Sequence, residues 1–174
     1  MPISFYDVST GLHLRGLQVL TNILNKAKAH AATHDIPLDE IVEWRLVDNM
    51  NPLSFQVQYM CITALKFLNI GAHLETPTVE DNEKTFSDLE ARIASTVELL
   101  KSVDRASVDG KEDEKVALPD ALAKYSEFTG SQYLFGNNNP NFYFHLVTAY
   151  DILRAKGVDL GKRDYLRPHI PDVP

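Results

Sequence analysis

Three observations predict an all-α four-helix bundle with long helices. Four stretches of the 174-residue chain repeat apolar residues at helical spacing over bundle-like lengths. Each is bounded by Pro, Gly or a capping residue. No two alternating runs read as strands in register. The expectation is one helical domain over 1–174, with helices at about 4–32, 52–72, 83–102 and 140–156 and a C-terminal tail packed on the surface.

The first helix opens on Ser4, a residue that caps helix N-termini. Val8, Leu12, Val19, Ile23, Ala27 and Ala31 form its apolar stripe, and Leu17, Leu20 and Leu24 widen it. His30 and His34 close the helix before the stop signal Asp35-Ile36-Pro37. Residues 38–46 read as one or two short turns.

Pro52 opens the second helix at the favoured first position. Phe55, Tyr59, Ile62, Leu65 and Leu68 leave it little polar circumference, so it should be central. Gly71 and Pro77 mark its end. The third helix, 83–102, has the cleanest period: Phe86, Leu89, Ile93, Val97 and Leu100 face inward, while Asp88, Glu90, Arg92, Glu98 and Lys101 form a solvated face.

Residues 104–115 are charged and carry Gly110, which reads as a loop or hairpin tip. An extended piece is expected at 116–118 and a helical turn at 121–128. Gly136-Asn137-Asn138-Asn139-Pro140 reads as a loop leading into the fourth helix, which Gly157 stops.

Composition narrows the function classes. A net charge of −7 argues against nucleic acid and against anionic membrane surfaces, both of which select clustered Lys and Arg. No apolar run is long enough to span a bilayer. The N-terminal residues lack a basic region followed by an apolar core, so a cytoplasmic location is expected. The lone Cys61 leaves no partner for an internal disulfide. There is no phosphate-cradling Gly loop, nucleotide fingerprint or nucleophile elbow.

His145 is the leading chemical candidate. It stands mid-helix among Phe142, Tyr143, Phe144, Leu146 and Val147, so it needs a buried partner. Its i+4 and i−4 positions are Ala149 and Asn141, neither of them a usual transition-metal ligand. A core histidine bonded by a neighbour is the plainer reading. Gln56 and Gln58 lie on opposite faces of the second helix, and a buried Gln must be bonded, as a clip or as a substrate contact. His30 and His34 have i, i+4 spacing but fall where polar side chains suit the helix dipole. His13 could point inward. His73 and His169 lie near chain breaks and read as surface residues. Cys61, between Met60 and Ile62, reads as an inert core thiol.

Several segments are familiar together: PLSFQVQ, EKTFSDLEARIASTVELLKSV, FTGSQYL, PNFYFH, TAYDILR and GVDLGKRDYL. They resemble a family designated domain of unknown function 1993 (DUF1993), grouped with the DinB/YfiT-like four-helix bundles. The resemblance covers nearly the whole chain and implies that fold. Within the family, Asn141, Tyr143 and His145 resemble part of a shared motif, whereas Tyr165 and Arg167 stand where Phe and Gly are the pattern. Members of the wider superfamily often hold a divalent metal on three His, one from helix two and a spaced pair from the last helix. Some use it to activate a low-molecular-weight thiol. Carried over, His145 matches one of the last-helix positions. Its partner falls on Ala149 or Asn141, and the helix-two position falls near Gln56.

The expected function is a small-molecule binding module with no catalytic metal and no cofactor. Asn141, Tyr143, His145 and Gln56 would be the polar groups of a pocket between helices. One alternative is a metal-independent lyase, isomerase or cyclase with His145 as general base and Tyr143 as proton donor or orienter. A dimeric interaction protein is another, and a DinB-like metal-dependent thiol transferase or hydrolase ranks last.

Overall fold

The computed structural model describes residues 3–118 and 127–170. Of the helical turn expected at 121–128, residues 121–126 lie outside the described residues. Secondary structure begins with α1 (Phe5–Val8) and α2 (Thr10–Thr33), followed by a 3₁₀ turn at Leu38–Glu43. Next come α3 (Leu53–Lys66), a π-helical turn at Phe67–Gly71, and α4 (Phe86–Ser102). A short 3₁₀ turn (Arg105–Ser107) leads to β1 (Lys115–Val116), which pairs antiparallel with β2 (Phe128–Thr129). The chain continues through α5 (Gly130–Tyr133), a second π-helical turn (Leu134–Asn138), α6 (Asn139–Ala155) and α7 (Lys162–Leu166), and reaches a 3₁₀ turn at Arg167–His169.

The four long helices form a ring in which α3 packs on α6 and α4, and α2 packs on the same two from the other side. Leu17, Leu20, Val57, Met60, Leu89, Phe142 and Leu146 are buried in its centre. Each such side chain removed from water contributes about 1.5–3 kcal/mol. Helix α4 begins at Phe86 because Thr85 and Asp88 form a reciprocal capping box: Thr85 Oγ1 accepts from the Asp88 N–H at 3.1 Å, and Asp88 Oδ2 accepts from the Thr85 N–H at 2.9 Å.

Three local features differ from the sequence expectation. The helix expected at 4–32 is broken at Ser9 (φ −120°, ψ −94°), whose hydroxyl donates to Phe5 O at 2.5 Å. The short α1 is held from far along the chain. Asp109 accepts from Ser4 Oγ at 2.6 Å and from the Tyr6 N–H at 2.8 Å, and Arg105 grips Asp7 through both guanidinium arms. A two-residue strand pair exists where none was expected, with Lys115 opposite Thr129 and Val116 opposite Phe128.

The third difference concerns residues 136–140, which continue a helical run rather than form a loop. Thr129 and Gln132 cap that run through a second capping box. Pro140 has no N–H to donate and its ring crowds the preceding turn. The wide π turn ahead of it relieves that crowding.

After α6, Gly157 takes φ +91°, the left-handed value that favours glycine at a helix end. The tail then folds back along α2. Lys26 Nζ bonds Asp164 at 2.8 Å and donates to the Asp159 carbonyl at 3.0 Å.

Candidate functional site

The α3–α6 contact brings Gln56 and His145 together, although 89 residues separate them. Both are buried, at 2% and 7% exposure. Gln56 Nε2 donates to the carbonyls of Asn51 (3.0 Å) and Pro52 (3.3 Å) at the start of α3. Its Oε1 is therefore turned toward α6, where it lies 2.7 Å from His145 Nδ1. An amide oxygen only accepts, so Nδ1 carries the proton. In the neutral ring, Nε2 then holds the lone pair. Burial pushes the His145 pKa down to about 4, so the ring is neutral near pH 7. Phe55, Tyr59 and Phe144 surround it at centroid distances of 5.8, 4.6 and 5.3 Å.

The other two expected site residues are placed differently. Asn141 lies one turn before His145 on the same face of α6, half-buried, and its side chain makes no hydrogen bond with the described residues. Tyr143 turns away from His145, as a two-residue step on a helix requires. Its ring lies 6.0 Å from that of His169, which in turn lies 5.7 Å from Tyr165. Burial, then the neighbouring Tyr165, pushes the Tyr143 hydroxyl up to about 12. His169 is not a surface residue as expected: it is half-buried, and its Nε2 is shut away from solvent.

A divalent metal on three His does not fit the donors around His145. The Gln56 oxygen is already bonded, Ala149 has no donor, and Asn141 offers only a neutral amide. Among the described residues no three His, Cys, Asp or Glu side chains are grouped as a metal site would need. His30 and His34 stack at 4.0 Å at the end of α2, with His34 Nδ1 2.9 Å from the His30 carbonyl. Cys61 is buried, and burial raises its thiol to about 11, which leaves it protonated and inert.

A cleft of about 670 Å³ lies between α2 and α4, closed at one end by Arg167, Pro168 and Ile170. Leu14, Leu24, Ile93 and Val97 line it, and Arg15, Gln18, Asn25, Glu90, Glu98 and Lys101 stand around it. Lys28 and Lys101 neutralise Glu90 and Glu98 respectively. Arg15 donates to the Asp7 carbonyl at 3.2 Å, and no described carboxylate lies within salt-bridge distance of it. Sequence patterning could not single out these residues. On either helix alone Leu24, Ile93 and Val97 read as core and the charged residues beside them as a solvated face, and only the α2–α4 packing turns the two helices' borders toward each other.

Among the described residues no helix is long and apolar enough to cross a membrane. The sequence model of a family described as Domain of unknown function (DUF1993) matches residues 5–166. The crystal structure of a DinB family member protein from Shewanella denitrificans is similar, with a TM-score of 0.85 and 31% identity, covering 92% of this chain and 90% of that one. No curated protein matches the chain.

Proposed function

Because the chain belongs to the DUF1993 family of DinB-like helical bundles, we propose that it is a small-molecule binding module whose site is the cleft between α2 and α4. The observation that carries this reading is the cleft itself. Its volume of about 670 Å³ suits one small molecule, and it has apolar walls with a few polar groups at the rim. We place the ligand there rather than around Gln56, Asn141, Tyr143 and His145, because Tyr143 turns away from the face of α6 that carries Asn141 and His145 and meets Gln56 of α3. The half-buried Arg15 is the cleft's cation without a carboxylate partner among the described residues. It favours a ligand with an apolar body and an anionic group, which a guanidinium binds through paired hydrogen bonds.

The test is a thermal-shift series of aryl and medium-chain alkyl carboxylates set against their uncharged amides. Carboxylates should raise the melting temperature more than the amides. Arg15→Gln should weaken binding roughly tenfold or more, the worth of one charge-assisted hydrogen bond. Ile93→Trp, which fills the cleft, should abolish the shift. A shift that survives Ile93→Trp, or no shift from any compound, would refute the assignment.

A second reading rests on the tautomer of His145. Nε2 carries a lone pair held in place by Gln56, the arrangement a general base requires. Its depressed basicity makes it a weak base at neutral pH. Any turnover found for this protein should then fall in His145→Ala while ligand binding in the cleft persists.

A further inference from the structure

The first turn of α2 meets the second π-helical turn at a place fully closed to solvent. Thr10, His13 and Asn138 are at most 1% exposed, and Asn139 is 8% exposed. Five of their polar atoms have no hydrogen-bond partner: Thr10 Oγ1, both ring nitrogens of His13, Asn138 Oδ1 and Asn139 Oδ1. Buried polar atoms are almost always hydrogen-bonded, so five unpaired atoms together mark a site rather than an oversight of packing.

The orientation of each amide is fixed. Asn138 Nδ2 donates to the Thr63 carbonyl at 2.8 Å, and Asn139 Nδ2 donates to the Val8 carbonyl at 3.3 Å. Both Oδ1 atoms are consequently acceptors left over. They stand near enough to His13 to oppose the effect of burial, which pushes its pKa down to about 4, yet neither meets a ring nitrogen in direct hydrogen-bond geometry. The ring is walled by Phe67 at 5.7 Å and Phe142 at 4.8 Å, so nothing apolar can satisfy it.

A proton count identifies what belongs there. The neutral imidazole has one N–H to give and one lone pair to fill. The two amide oxygens only accept, and the Thr10 hydroxyl gives one proton. Unfilled acceptors outnumber donors, and none of the five atoms meets a partner in direct hydrogen-bond geometry. A water molecule gives two protons and accepts two, and buried waters typically make about three hydrogen bonds to such groups.

We propose that Thr10, His13, Asn138 and Asn139 form an internal hydration site that holds water as a structural ligand between α2 and the second π turn. Both π turns border this site: Phe67 begins one and Asn138 ends the other. Such turns recur where a helix is widened around a functional group. The site is separate from the α2–α4 cleft and does not depend on the ligand assigned there.

The test is a crystal structure of the full chain at a resolution that shows ordered water, with oxygen-17 magnetic relaxation dispersion in solution. Density within hydrogen-bond distance of a His13 ring nitrogen and an Asn139 or Asn138 Oδ1, together with a long-lived water lost in His13→Leu, supports the proposal. Where His13→Leu fails to fold, the near-isosteric Thr10→Val reads the same site through faster exchange of that water. Direct bonds from the His13 ring to the Asn oxygens, or relaxation unchanged by every variant that folds, overturn it.

Discussion

Gln56 Oε1 lies 2.7 Å from His145 Nδ1, and this contact fixes both side chains. The amide also covers two carbonyls at the start of α3. Gln56→Leu strands the buried Nδ1–H of His145, so it should destabilise by roughly 1–3 kcal/mol. Adding His145→Leu should restore part of that loss, because the pair is then replaced by apolar groups. Urea melts of the two single variants and the double variant measure the coupling, and strictly additive losses would contradict it.

Stability should fall on mild acidification. His13 and His145 are both held at about 4 in the native state, against an ordinary value of 6.5. As pH falls from about 6.5 to 4, the unfolded chain takes up protons that the native state refuses, so the native state loses ground throughout that window. The fully buried His13 alone accounts for roughly 3 kcal/mol of the loss. Denaturant melts from pH 7.5 to 4 should show this slope, and His13→Gln should remove about one proton's share of it. A wild-type profile level across the window would be incompatible with two buried neutral imidazoles.

Gly16 is required by Phe142. A Cβ at position 16 would stand 2.3 Å from the Phe142 ring, which is itself fully buried. Gly16→Ala should cost about 1–3 kcal/mol through overpacking, despite the better helix propensity of alanine. Phe142→Leu in the same chain should return part of the loss. A Gly16→Ala protein that melts higher than wild type would mean that the ring has room to move.

Arg92 is the most deeply buried ion-pair partner among the described residues. Its guanidinium meets Glu83 at 2.6 Å and Asp81 at 2.8 Å and donates to the Glu80 carbonyl at 3.0 Å, tying residues 80–83 to α4. Arg92→Ala leaves Glu83 buried without its counter-ion and should cost about 3–5 kcal/mol. Removing both charges, as Arg92→Met with Glu83→Gln, should cost clearly less. Calorimetry of the two proteins decides between an uncompensated charge and simple loss of packing.

The long helices were readable because their cores obey a 3.6-residue period, most cleanly in α4 from Phe86 to Leu100. The break at Ser9 was not readable, because it depends on a hydroxyl bonding back to Phe5 and on Asp109 and Arg105 pulling α1 from a distant loop. The π turn before Pro140 was mistaken for a loop because Gly136, three Asn and Pro140 carry turn chemistry. Only the capping box at Thr129 and Gln132 starts the helix early. His145 and Gln56 could each be named as buried polar residues needing partners. Their pairing depends on the register of α3 against α6, which no local pattern encodes. The direction of His13 was open for the same reason. The cleft was not readable because Leu24, Ile93 and Val97 carry the pattern of core residues, and the polar stripe beside them looks identical whether it faces solvent or another helix.

The tie from Asp109 to Ser4 and Tyr6 spans more than 100 residues. During synthesis α1 leaves the ribosome long before the carboxylate that holds it. At about 5–20 residues per second, α1 waits roughly 5–20 s for its anchor. Until then Phe5, which belongs in the core, remains exposed to whatever binds nascent apolar segments.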